Sequence, residues 1–168
     1  MASLKVGVIS DTHGLVRPEA LDALREANVI LHAGDVGGSH VLQELGEIAP
    51  VIAVKGNVDL EPWARGLPDR RRLELGGARV LLLHDRAAVG PDPASRGFQA
   101  VVFGHSHQPL AVRESGVLWF NPGAAGPGRF RLPVSLGLLE IEDGHVRERL
   151  VRLKPAWAKG APLGSGSG

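Results

Sequence analysis

The chain has no cysteine and no tyrosine. The first absence removes disulfides, thiolate metal sites and a cysteine nucleophile from the available chemistry. Any metal must therefore be held by histidine, carboxylate, asparagine or backbone oxygen. Aromatic residues make up only 4% of the chain, and two of its three tryptophans, Trp63 and Trp119, fall in its body. That is too sparse for a stacking surface that reads single-stranded nucleic acid. An excess of one charge is missing too: 19 Lys and Arg stand against 18 Asp and Glu, a formal net charge of +1. Neither an acidic tail nor an extended nucleic-acid footprint is expected. No apolar run approaches the ~20 residues of a membrane-spanning helix. The first apolar run starts too near Met1 to leave room for a secretory leader. The expectation is a cytoplasmic protein with no membrane partner.

What is present is an ordinary globular balance: 43% hydrophobic and 22% charged over 168 residues. That suffices for one domain with a substantial core. Residues 1–154 read as that domain and 155–168 as a flexible Pro/Gly/Ser-rich tail. Leu4–Ile9, Val29–His32 and Val51–Val54 read as strands, and Pro18–Ala27 and Ser39–Ile48 as the helices between them. This β-α-β-α-β order predicts parallel strands with right-handed crossovers. The second half reads as mostly β with antiparallel connections. Its segments are a hairpin through Gly76-Gly77, short strands at Ala100–Phe103, Leu110–Arg113 and Val117–Phe120, and a hairpin through Asp143-Gly144. Two sheets packed face to face with helices outside would bury both halves.

A polar group closes each of five apolar runs. These are Asp11-Thr12-His13, Gly34-Asp35, Gly56-Asn57, His84 and Gly104-His105-Ser106-His107. In an open α/β sheet the carboxyl ends of the strands share one crevice, so these groups should converge. Residues i and i+2 of extended backbone share a face, so Asp11 with His13, and His105 with His107, could each present two ligands. Gly34, Gly56 and Gly104 stand directly before ligand candidates, where a sharp turn or close backbone approach needs them. Two carboxylates with no cation beside them would repel a phosphate ester; two divalent ions would reverse that sign.

This ordered set resembles the motifs of the calcineurin-like metallophosphoesterases. The short length, Gly56-Asn57-Val58-Asp59 and Asn121-Pro122-Gly123 resemble the small, single-domain YfcE-like phosphodiesterases. The resemblance implies a metallo-dependent phosphatase-like fold, a four-layer α-β-β-α sandwich of two mixed β-sheets flanked by helices. It implies two divalent metal ions per chain, with manganese favoured and iron, zinc, cobalt or nickel also suited. Asp11, His13 and His107 would hold one ion and Asn57, His84 and His105 the other, with Asp35 bridging them. The implied reaction is hydrolysis of a small phosphodiester, such as a nucleotide, by in-line attack of a hydroxide shared between metals ~3.5–4 Å apart. Asp35 and His105 would act through the metals, and Asn57 would also meet the substrate. A homo-oligomer is compatible with all of this. The alternatives are a phosphomonoesterase with the same site and a non-catalytic scaffold like the retromer subunit of similar fold. The second is disfavoured because its metal site is degenerate, whereas every ligand candidate here is intact. A metallo-β-lactamase-like hydrolase would need a His-x-His-x-Asp-His run, which this chain lacks.

Two departures from the family pattern matter. Many members carry histidine directly after Gly-Asn, where it protonates the leaving group; here Val58 stands there. Asp59 therefore cannot orient a catalytic histidine and is expected to hold the turn or a group nearby. Asp85 follows His84 where glycine is common, adding negative charge beside the site. His40, at the start of a helix near Asp35, is the substitute candidate for the acid. Arg129 and Arg131 are candidates to reach a substrate phosphate from the Gly-rich loop. His32 is expected to be buried, in the core or behind a metal ligand, His145 exposed, Asn121-Pro122-Gly123 a tight turn or a substrate loop, and Arg70-Arg71-Arg72 a solvated strand entrance. The glycines at 37 and 38 are not followed by Lys-Ser/Thr, which excludes a P-loop.

Overall fold

A computed structural model describes residues 3–128 and 132–154. The proposed tail at 155–168, Arg129 and Arg131 lie outside the described residues. The first half alternates as expected: β1 (Leu4–Ile9), α1 (Pro18–Leu24), β2 (Val29–His32), α2 (Ser39–Gly46) and β3 (Val51–Ala53). Pro18 opens α1, where its missing N–H costs nothing. α1 ends before Ala27 because Asn28 ties the chain back to β1. Its N–H donates to the Lys5 carbonyl, and its side-chain oxygen accepts from the Lys5 N–H (both 2.8 Å). Seven strands follow: β4 (Arg70–Leu75), β5 (Ala78–Leu83), β6 (Ala100–Val102), β7 (Leu110–Glu114), β8 (Val117–Asn121), β9 (Ser135–Glu142) and β10 (His145–Arg152).

Two five-stranded mixed sheets result. One runs β10-β9-β1-β2-β3, with β1, β2 and β3 parallel and β9 antiparallel to β1. The other runs β4-β5-β6-β8-β7. The expectation of antiparallel connections holds for the β4–β5 and β7–β8 pairs but not for its centre, where β5–β6 and β6–β8 are parallel. A parallel pair needs a long crossover. Residues 84–99 supply one, and the excursion through β7 lets β8 return beside β6.

The sheets pack through Val6, Val8, Leu31, Val80, Leu82, Val102, Leu118 and Phe120. The outer face of the first sheet packs on the helices through Ile9, Ile30, Leu24, Val41 and Leu45. A Cβ on Gly7 would lie 2.4 Å from Leu24 Cδ2, so this strand glycine sets how closely α1 approaches. The outer face of the second sheet carries Leu81, Leu83, Val101 and Phe103 under Val89 and Phe98. The cover is the 84–99 crossover, which includes one 3-10 turn at Arg86–Ala88. Strands buried on both faces need apolar residues throughout, which explains the uninterrupted Val80–Leu83 and Ala100–Phe103 runs. Among the described residues no helix is long and apolar enough to cross a membrane.

Candidate metal centre

All five parallel strands that carry candidate ligands, β1, β2, β3, β5 and β6, deliver them just beyond their carboxyl ends. The backbone there is not extended, contrary to the i, i+2 expectation. Asp11 (φ +54°), His13 (+47°), Asp35 (+56°), His105 (+74°) and His107 (+63°) all adopt the left-handed conformation. Each such residue costs of order 1–3 kcal/mol and persists only where its surroundings hold it. Backbone bonds between the β1 and β2 loops hold the first three. Asp11 N–H donates to Gly34 O and His13 N–H to Asp35 O (both 3.0 Å), and Gly14 N–H donates to Val36 O (2.8 Å).

Hydrogen bonds then aim the carboxylates. Ser10 Oγ and the His105 N–H donate to Asp11 Oδ2 (2.7 and 3.1 Å), so Oδ1 faces the centre. Val58 N–H donates to Asp35 Oδ1 (3.1 Å), leaving Oδ2 inward. His84 Nδ1 donates to the Ala33 carbonyl (2.8 Å), which presents Nε2 to the site.

Two groups of donor atoms result, each within 4.8 Å: Asp11, His13 and His107, and Asp11, Asp35 and His84. Asp11 Oδ1 lies 3.5 Å from His107 Nε2 and 4.0 Å from both His13 Nε2 and His84 Nε2. Asp35 Oδ2 lies 3.7 Å from His13 Nε2 and 3.3 Å from His84 Nε2, between the two groups. His105 Nδ1 is 3.3 Å from His84 Nε2. Asn57 is exposed and lines the cavity that His84 also lines.

The residues fit a pair of cations. Asp11 Oδ1 and His13 Nε2 are buried with no hydrogen-bond partner, a costly condition unless something electropositive engages them. Burial pushes the Asp11 carboxyl above its ordinary value, against the Ser10 hydrogen bond and the neighbouring histidines. For Asp35 burial acts the same way but loses. The bonds from His84 and the Val58 N–H hold that carboxyl well below the usual carboxylate range. His84 is correspondingly raised: burial opposes its charge, but the Asp35 and Ala33 hydrogen bonds prevail.

The glycines at 56 and 104 act by close approach. A Cβ at Gly104 would lie 2.1 Å from Ser10 Oγ and 2.6 Å from Asp11 Oδ2, and one at Gly56 would lie 2.1 Å from the Asp35 backbone nitrogen.

Three buried residues brace the centre, Asp59 and His32 as expected. Asp59 is buried and accepts from the N–H groups of Gly56 (2.9 Å), Gly37 (3.0 Å) and Val36 (3.1 Å), tying the Asn57 loop to the Asp35 loop. Asn121 is no simple turn residue. Its Nδ2 donates to Gly104 O and Ser106 Oγ (both 3.1 Å), bracing the His105–His107 loop, while its Oδ1 accepts from Gly123 N–H (2.9 Å). The third is His32. Thr12 Oγ1 donates to Val36 O (2.8 Å). Its oxygen therefore accepts from His32 Nε2 (3.0 Å), and His32 Nδ1 accepts from Gly34 N–H (3.1 Å). Only the neutral Nε2–H imidazole satisfies both. No sequence signal marks this, because Thr12 lies 20 residues away, beyond the end of another strand.

Elsewhere, His40 is exposed and its Nε2 donates to Gly14 O (2.7 Å), which commits that proton to the backbone. His145 is exposed, as expected.

Complete burial pushes His32 down to about 4 from 6.5. Between those values the unfolded chain binds the extra proton, so stability rises with pH across the window and falls as pH drops toward 4. The full effect is about 3 kcal/mol. His84, being raised, contributes below pH 6.5 and loses that contribution on the alkaline side. The wild-type denaturant midpoint should therefore fall more steeply from pH 6.5 to 4 than that of His32→Gln, in chelated protein. Parallel pH profiles would overturn the assignment.

The calcineurin-like phosphoesterase superfamily domain matches residues 4–144. A protein of Methanothermobacter thermautotrophicus named "probable metallophosphoesterase" is 33% identical over 88% of this chain and 91% of its own length. The phosphodiesterase YfcE of Escherichia coli is 31% identical over 60% of this chain and 58% of its own. The solved structure of Vps29 from Entamoeba histolytica, complexed with zinc, superposes with a TM-score of 0.71. It is 24% identical, over 90% of this chain and all of that one, and so shares the fold. This chain belongs to the calcineurin-like phosphoesterase superfamily.

Proposed function

We propose that the protein is a metal-dependent phosphodiesterase that hydrolyses small phosphodiesters at a centre built for two divalent cations. The observation that carries this reading is the pair of donor groups meeting at Asp11, with buried atoms of Asp11 and His13 that no protein group hydrogen-bonds. Asp11, His13 and His107 would hold one cation and Asn57, His84 and His105 the other, with Asp35 between them; manganese suits this oxygen and nitrogen set. Such a pair supplies an activated water and offsets charge on the phosphoryl oxygens.

The protein's own contribution is orientation. The bonds to Asp11 Oδ2, Asp35 Oδ1 and His84 Nδ1 fix the three inward-facing atoms before any substrate arrives, so no reorganisation is needed during reaction. Asn57 and His105, both exposed, would meet a phosphoryl oxygen from the open side. A cytoplasmic setting and a small soluble substrate accord with this centre, and a homo-oligomer with either.

The position directly after Asn57, where many members of the family carry a proton-donating histidine, is held by Val58. Val58 is 48% exposed next to Asn57 and its side chain has no proton to give. Lost general-acid catalysis typically costs about 10²–10⁴ in rate, more for poor leaving groups. Aryl diesters, whose leaving groups need no protonation, should therefore turn over faster than alkyl diesters by about that factor. A manganese-supplemented screen of phosphate esters measures it. Equal rates on aryl and alkyl diesters would overturn the missing-acid reading. Faster turnover of aryl monoesters than diesters would overturn the diesterase reading in favour of a monoesterase. The shared fold with Vps29 keeps a scaffold role in view; uptake of far less than one divalent ion per chain would favour it.

A further inference from the structure

Beside the metal centre, between the end of β3 and the start of β4, lies an open cavity of about 260 Å³. Lys55, Gly56, Asn57, Asp69, Arg70, Leu83, His84, Asp85 and Ala88 line it. Asn57 and His84 belong to both the cavity and the metal centre. A phosphoester held at the centre would therefore extend one of its arms into this space.

The cations in its wall are better placed to bind an anion than the acids are to cancel them. Arg70 donates one Nη2 proton to the Ala88 carbonyl. That bond fixes a guanidinium that has further N–H groups to offer, the arrangement that favours bidentate oxyanion contact. Lys55 is held at its backbone by the Pro68 carbonyl (2.9 Å). Its ammonium stands 4.0 Å from Asp69, whose side chain is 86% exposed. Such a loose surface pair contributes little and yields readily to a better partner. Asp85 commits Oδ1 to the Ala87 N–H (3.0 Å), where it caps the 3-10 turn. Arg71 and Arg72 continue the exposed edge of β4 beyond Arg70. They add positive charge near Arg70 without lining the cavity themselves.

We propose that this cavity is an anion subsite in which Lys55 and Arg70 bind a phosphate or carboxylate carried on an arm of the substrate, so that the enzyme selects phosphoesters with a second negative group. The subsite rests on the phosphoester-hydrolase reading and deepens it. Arg70-Arg71-Arg72, expected to be only a solvated strand entrance, gains a function at its first residue.

The test measures binding, by calorimetry on the full manganese-loaded chain, of three monoesters that differ in the arm: propyl phosphate, 2-carboxyethyl phosphate and ethane-1,2-diyl bisphosphate. Wild type should bind the carboxylate-armed or the bisphosphate ligand about tenfold more tightly than the propyl ester, the scale of one charge-assisted contact. Whichever of the two gains more identifies the anion. In Lys55→Met/Arg70→Met the advantage should fall below about twofold, and Arg70→Lys should retain part of it. Thermal melts check that the variants are folded. Equal binding of all three ligands by wild type, or an advantage that survives in the folded double variant, overturns the subsite alone. No binding of any of the three overturns the subsite, and the hydrolase reading falls with it only if the manganese-supplemented ester screen also shows no turnover.

Discussion

Asp11→Asn should lower metal-dependent kcat/KM on an aryl phosphodiester by about 10³ or more, the scale on which loss of a group at the reacting centre registers. The same substitution should leave the metal-free protein as stable as wild type or more so. Both halves follow from one carboxyl. The Asp11 side chain is fully buried, its Oδ1 has no hydrogen-bond partner, and burial raises it above its ordinary value. A raised carboxyl binds its proton more tightly when folded. Its ionised form therefore costs stability above the folded value, at neutral pH included. Asparagine keeps the shape and, with its amide oxygen, the acceptor for Ser10 Oγ and the His105 N–H. It removes the buried charge that a cation would need.

Asp35→Asn should lose activity as fully but also lose stability at neutral pH. The Asp35 carboxyl is held low by His84 and the Val58 N–H. Its contribution is present above the ordinary carboxylate value and is lost only in acid. Urea melts in chelator, manganese calorimetry and diester hydrolysis on both variants check the pair. Asp11→Asn protein with near wild-type turnover, or one markedly unstable without metal, would overturn the role given to Asp11.

The strands were legible where burial on both faces leaves no polar residue, as in Val80–Leu83 and Ala100–Phe103. The same uniformity hides pairing. An apolar run on two covered faces carries no mark of its neighbour's direction, so the parallel β5-β6-β8 centre was not readable. Ligand identity was legible because Asp, His and Asn close apolar runs. The way they converge was not. Left-handed backbone is usually signalled by glycine or asparagine, yet here it falls on Asp11, His13, Asp35, His105 and His107. What holds those strained residues is long-range: His32 to Thr12, Asn121 to Gly104, Asp59 to Val36. Each bond joins segments far apart in sequence, and local sequence does not encode which segments meet. Gly56 and Gly104 were readable as close approaches because only the ligand loops carry glycine in that position.

Asp59→Ala should cost roughly 2–6 kcal/mol of folding free energy, at about 1–3 kcal/mol for each of the two buried donors, Val36 and Gly56, left without an acceptor. The carboxylate takes three backbone N–H groups, from Val36, Gly37 and Gly56. Alanine fits the space but accepts nothing, and water reaches such a site only if the loops part. The loss would be a large share of the ~5–15 kcal/mol that typically separates folded from unfolded protein. It would also free the Asn57 loop from the Asp35 loop, so the affinity for the second divalent ion should fall by about 10–100-fold, as when support behind a ligand is removed. Asp59→Asn keeps one acceptor oxygen but turns an amide N–H toward a backbone N–H, and should fall between the two. Because Val58 follows Asn57, Asp59 has no histidine to orient. The residual activity of Asp59→Ala should keep the wild-type pH profile even as its manganese requirement rises. Chemical denaturation, calorimetry and pH–rate profiles separate the outcomes. A variant less than about 1 kcal/mol destabilised, with unchanged metal affinity, would show that the loops are held by something other than this carboxylate.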